Sequence, residues 1–139
     1  MSIRNLSSLF IAAVLASACS SSPVRDIGLD KLAPRKAEQD LSAGLKSYEN
    51  GQYHVAAKHL QSALNNGLAF KSDQVTAHKY LAFIHCASNQ EKQCRDAFRR
   101  AFEVDPAFKL DRTEIGHPLW GPVYNSVRAD LLSKGKIRP

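Results

Sequence analysis

Residues 84–94 read IHCASNQEKQC, which puts His85 beside Cys86 and Cys94 eight residues further on. Side chains of these types serve as metal ligands, as a redox or nucleophilic pair, or as a disulfide, and the spacing alone does not choose among them. A structural zinc site wants four ligands. His85, Cys86 and Cys94 supply three, no fourth has a recognisable spacing, and C-x₇-C is not a common knuckle. A nucleophilic thiolate is expected at a helix start or a sharp turn, whereas Cys86 reads as lying near a helix end. The histidines are His54, His59, His78, His85 and His117. His78 and His85, seven apart, share one helix face, but no carboxylate stands one turn from either to orient a general base. A Gly-rich phosphate loop, a paired-acid motif and H-E-x-x-H are all missing. The expectation is a non-enzymatic chain that takes no metal, cofactor or small-molecule substrate.

Whether the cysteines are oxidised depends on the compartment, and the N-terminus speaks to that. MSIRNLSSLFIAAVLASAC has a short leader with Arg4, an apolar run over residues 9–16, then small residues. That is a secretory signal pattern, too short to span a bilayer. Cys19 follows Ala16-Ser17-Ala18 and precedes SSSPV. The arrangement resembles a bacterial lipobox, with Ala16 where leucine is usual. The resemblance implies that residues 1–18 are removed and that Cys19 is lipidated on its thiol and acylated, for example with palmitate, on its freed amine. Ordinary cleavage near Ala18 is the alternative. Several acyl chains at about 0.8 kcal/mol per buried methylene make an effectively permanent anchor. Ser20 rather than Asp in the next position favours the outer membrane. Residues 19–36 are rich in Ser, Pro and charge and read as a tether, spanning roughly 20–25 Å as a flexible coil.

From residue 37 the apolar pattern is helical, with no sustained period-2 run. LSAGLKSYENGQYHVAAKHLQSAL carries Gly44, Gly51, Tyr53, Ala56, Leu60, Ala63 and Leu64. These spacings resemble a tetratricopeptide (TPR) repeat, in which small residues let two helices approach closely. Gly44 on the first helix is expected to face Ala56 on the second. A second copy follows 38 residues later: Leu81-Ala82 match Ala43-Gly44, Cys94 matches Ala56, Phe98 matches Leu60 and Ala101 matches Ala63, with Pro106 closing it. The alternative is an unrelated four-helix bundle. Two repeats leave an apolar face uncovered. The stripe Trp120, Val123, Tyr124, Val127 and Leu131, opened by Pro122, predicts a further helix that caps it. The fold class expected is therefore all-α: two TPR-like hairpins over residues 37–106, then a capping segment over 107–139 that ends in a frayed basic tail, SKGKIRP.

TPR arrays bind peptides or helices on the surface made by their first helices. Carried onto this register, that groove comprises Glu38, Leu41, Leu45, Tyr48, Lys79 and Phe83, more apolar than a solvated face needs. Either a protein partner or the chain's own tether or C-terminus covers it. The formal net charge is +6, from 19 Lys and Arg against 13 Asp and Glu. These charges are dispersed, and the one dense group, Arg95, Arg99 and Arg100, reads as a solvated helix face. Nucleic acid is therefore not an expected partner, and contact with anionic lipid head groups is favoured over it.

HKYLAFIHCASNQEKQCRDAFRRAFEVDPAFKLDRTEIGHPLWGPVY resembles the core of small TPR lipoproteins associated with type VI secretion systems, the TssQ-type family. The two cysteines bracketing the turn, AFRRAFEVDPAFKL and GHPLWGPVY carry the likeness. It implies an accessory outer-membrane lipoprotein on the periplasmic face, acting through protein–protein contacts as a scaffold or assembly factor. The alternative is a TPR lipoprotein of another envelope machine, pilotin-like or an outer-membrane assembly helper. In that compartment, with Cys19 used by lipid, Cys86 and Cys94 are left as an even pair. A disulfide across the hairpin is expected, with two buried thiols or a metal site as the alternatives.

Overall fold

A computed structural model of the protein describes residues 35–138. The expected signal segment, the lipidated Cys19 and nearly all of the tether lie outside the described residues. Among the described residues six helices follow in order: α1 (Lys36–Glu49), α2 (Tyr53–Asn65), α3 (Lys71–Ala87), α4 (Glu91–Val104), α5 (Arg112–Ile115) and α6 (Gly121–Ser133). Among the described residues there is no strand, and no helix is long and apolar enough to cross a membrane. α1 packs on α2 and α3 on α4 as two antiparallel hairpins, α2 joins them through α3, and α6 lies on α4. This is the all-α arrangement of two TPR-like hairpins with a C-terminal capping helix.

The repeat is visible in the burial pattern. On α2, Ala56, Leu60 and Ala63 are fully buried, and on α4 the residues 38 positions later, Cys94, Phe98 and Ala101, are fully buried too. Spacings of four and then three residues put each trio on one helix face. Burying the large member of each trio contributes about 1.5–3 kcal/mol. The hairpin turns repeat as well. After α1, Gly51 at φ +73° sends its N–H to Tyr48 O while Gln52 N–H reaches Ser47 O. After α3, Asn89 at φ +56° and Gln90 make the same two bonds, to Cys86 O and His85 O. Both are Schellman turns, in which a left-handed residue reverses the chain and satisfies the last carbonyls.

Gly44 does sit at a close helix contact, and the atoms nearest to it are those of Leu60. A Cβ on Gly44 would lie 2.8 Å from Leu60 Cγ and 3.2 Å from Leu60 N. The large residue of the trio thus packs directly on the α1 backbone.

The cap is held at several points. Tyr124, 2% exposed, has the rings of Phe98, Phe102 and Phe108 within 5.5–5.7 Å. Its hydroxyl donates to Phe108 O at 3.2 Å. Val127 and Leu131 continue the buried stripe, while Val123 and Trp120 are half-buried. Arg95 is not simply a solvated side chain: its guanidinium donates to Ser126 Oγ on α6 at 3.2–3.3 Å. The expected frayed tail is also corrected. Gly135, at φ +64°, donates to Leu132 O and Lys136 N–H to Leu131 O. This third Schellman turn folds the tail back and buries Ile137, because an apolar side chain just past such a turn packs on the last helical turn.

Candidate functional site

The groove expected on α1 and α3 is divided into two unlike halves. On the α3 side the chain covers its own surface. Phe83 is buried and stacks on Trp120, with ring centroids 4.3 Å apart and planes 22° from parallel. Lys79 Nζ meets Glu114 Oε1 at 2.6 Å, both side chains mostly shielded from solvent, and lies 5.1 Å and 5.8 Å from the Tyr80 and Phe83 ring centroids. A cation over aromatic faces and beside a carboxylate is a satisfied structural group. Of the expected groove residues, Lys79 and Phe83 are therefore engaged by the α5–α6 segment, because that segment folds across them.

Local sequence explains why the segment holds there. Asp111 and Glu114 form a reciprocal capping box that nucleates α5, worth the usual satisfaction of orphan N–H groups. Trp120 Nε1–H donates to Glu114 O at 2.9 Å. Its second face is taken by His117, stacked 3.4 Å away and parallel. His117 Nδ1 accepts the Leu119 N–H at 3.2 Å, which in the neutral ring places the proton on Nε2. A side chain at Gly121 would collide with the Ile115 carbonyl, so only glycine lets α5 and α6 approach this closely. HPLWGPV is a clasp.

On the α1 side the groove is open. Glu38, Leu41, Leu45, Lys46 and Glu49, with Asp73 from α3, line a shallow cleft of about 500 Å³. Leu41 forms its floor at 8% exposure, and Leu45 and Tyr48 are half-buried. Tyr48 links the halves through ring contacts with Tyr53 at 5.4 Å and Tyr80 at 4.8 Å. Tyr80 in turn touches Phe83 at 5.7 Å. Burial, followed by the neighbouring Tyr53, Tyr80 and Glu114, pushes the Tyr48 phenol up to about 12, so it stays a neutral hydrogen-bonding group at physiological pH. Glu38 Oε1 accepts from Arg35 at 2.7 Å. Its Oε2 is buried without a hydrogen-bond partner.

Asp40, which sequence reasoning missed, ties α1 to α2 through Ser62 and to Asn66 just past it. Its buried carboxylate accepts from Lys36 Nζ at 2.5 Å, Ser62 Oγ at 2.7 Å and Asn66 Nδ2 at 3.1 Å, and His59 Nδ1 stands 3.6 Å away. The hydrogen bonds from Lys36 and Ser62 lower its pKa to about 2. The only sequence signal was Lys36 one turn before it.

A second, wider cleft of about 650 Å³ lies between α2, α3 and α4, lined among others by His78, His85, Asp96 and Arg100. Burial, then Arg100, lowers the His78 pKa to about 4. His85 Nδ1 is 2.7 Å from Gln90 Oε1. The two histidines do share a face, and Asp96, the carboxylate lining the same cleft, pairs with Arg99 at 2.9 Å. Cys86 and Cys94 stand at disulfide distance, with Cα atoms 5.2 Å apart across the hairpin. Among the described residues no group of three or more His, Cys, Asp or Glu side chains is placed to hold a metal ion.

Comparison of the chain with protein-family models, curated proteins and solved structures found no match to any of them.

Proposed function

We propose that this chain is a lipid-anchored periplasmic scaffold or assembly factor of a type VI secretion system, held at the outer membrane through Cys19 and acting by protein–protein contact without catalysis. The compartment rests on the lipobox-like ASAC, and the machine rests on the likeness of AFRRAFEVDPAFKL and GHPLWGPVY to the small secretion-associated lipoproteins. The observation that carries the binding role is the split groove. Its α3 half is closed by the chain's own Trp120 and Glu114, while the α1 half keeps Leu41 and Leu45 in an open cleft. An apolar floor rimmed by charges suits a short amphipathic segment of a partner protein.

The second reading, a TPR lipoprotein of another envelope machine, uses the same cleft and anchor. A photo-crosslinking residue at the exposed Ser42 of α1, followed by mass spectrometry of adducts from intact cells, separates the two. Capture of baseplate or membrane-complex subunits of a contractile secretion system supports the first. Capture of pilus secretin or barrel-assembly subunits alone overturns it in favour of the second.

A further inference from the structure

We propose that the C-terminal fold-back builds a phosphate-binding cleft, separate from the groove; only a membrane lipid as the source of its phosphate rests on the anchored reading above. The Schellman turn at Gly135 returns the tail along α6, and burial of Ile137 fixes it there. The result is a cleft of about 470 Å³ between the α4–α5 connection, α6 and the tail. Lys109, Arg128, Lys136 and Arg138 line it, and among the described residues no carboxylate does, although Lys136 also borders a neighbouring cleft that holds Glu103 and Asp130. Buried Phe108 and Ile137 stand behind them.

Some cations elsewhere are matched with acids, as Lys36 with Asp40, Lys79 with Glu114, Arg99 with Asp96 and Lys134 with Asp130, while others, such as Lys46, Lys58 and Lys92, stand exposed on other parts of the surface without an ion pair among the described residues. Among the described residues the four cations of the cleft have no such ion pair and no side-chain hydrogen bond. Like charges brought around one concavity repel, and a bound anion removes that repulsion while gaining charge-assisted hydrogen bonds. Guanidinium and ammonium groups along one cleft suit the oxygens of a phosphate, with arginine supplying bidentate contacts and lysine point charge. The ligand class is a phosphate group, either the head group of an anionic phospholipid or a free phosphomonoester. Basic side chains next to a membrane surface attract the former.

The test uses the full chain and NMR titration. The probes are inorganic phosphate, glycerol 3-phosphate and dihexanoylphosphatidylglycerol, with dihexanoylphosphatidylcholine as the zwitterionic control. Saturable shifts centred on Lys109, Arg128, Lys136 and Arg138 are expected, weakening as salt is raised. The double variant Arg128→Gln/Lys136→Gln should bind about tenfold more weakly, a difference of roughly 1.4 kcal/mol. Lys109→Gln/Lys136→Gln, both at exposed positions, gives the same readout if the first variant is poorly folded. Phosphatidylglycerol binding about tenfold tighter than glycerol 3-phosphate identifies a membrane source, and equal affinity a soluble one. Shifts that do not saturate, that spread equally over Lys46, Lys58 and Lys92, or that persist in both double variants overturn the proposal.

Discussion

Trp120 lies flat on Phe83, 4.3 Å between ring centroids, and so closes half of the groove that two TPR-like hairpins would otherwise leave open. The contact joins the capping segment to α3 across 37 residues of sequence. It makes the cap part of the groove wall as well as an end-piece, since what Trp120 covers decides which groove residues stay open.

Trp120→Ala should therefore cost about 3 kcal/mol in chemical denaturation, the range for removing a large aromatic from a packed site. The same variant should raise solvent access to Phe83 and Lys79. Leu119→Ala, one residue away but 49% exposed, should change stability by about 0.5 kcal/mol or less. Equal losses for the two would contradict the clasp.

Across the α3–α4 hairpin, reduction of the Cys86–Cys94 pair should lower stability by about 2–3 kcal/mol while helicity is kept. The oxidised protein should resist alkylation under native and denaturing conditions alike. Rapid labelling of both thiols in denaturant without reductant would show that the bridge is not formed.

Acid should destabilise the fold in two separate windows. His78 has a folded pKa lowered from 6.5 to about 4 by burial and then Arg100. The unfolded chain therefore binds the extra proton first, and stability falls as pH drops from about 6.5 to 4. Asp40 is lowered from 3.8 to about 2 by its hydrogen bonds from Lys36 and Ser62. Its contribution is fully present above 3.8 and is lost as pH falls towards 2. Thermal melts of His78→Gln should flatten the first window only, and those of Asp40→Asn the second only.

Gly44→Val should destabilise by about 2–3 kcal/mol, because its branched side chain would press on Leu60 and the α2 backbone, and overpacking of a filled contact costs that much. Gly51, with nothing near its missing side chain, is constrained by its positive φ instead, so Gly51→Asn should be tolerated within about 1 kcal/mol.

The parts of this fold that are legible in sequence are those set by local spacing. Ala56, Leu60 and Ala63 recur as Cys94, Phe98 and Ala101 because each trio lines one face of a helix, and the 38-residue offset carries the turn residues Gly51 and Asn89 with it. The stripe from Val123 to Leu131 marks the cap for the same reason. What depends on distant pairing is not legible. Nothing near Lys79 announces Glu114, 35 residues on, so the register leaves open whether a partner or the chain's own tether or C-terminus covers the α3 half of the groove. Asp40 meets Ser62 and Asn66, 22 and 26 residues away, through polar side chains that have no periodicity. The tail was misjudged because its polar composition hid a glycine at the left-handed position and one apolar residue, Ile137, placed to pack behind it.

The proposed role places partner docking in the open α1 half of the groove. Its most direct test is capture in intact cells by a crosslinker at Ser42, in the native chain and in Leu45→Gln, with a crosslinker at Lys58 on the exposed face of α2 as control. Docking there predicts a defined adduct from Ser42 that disappears in Leu45→Gln while the protein stays folded, and no such adduct from Lys58. An adduct that survives Leu45→Gln unchanged, or that forms equally from Lys58, would contradict it.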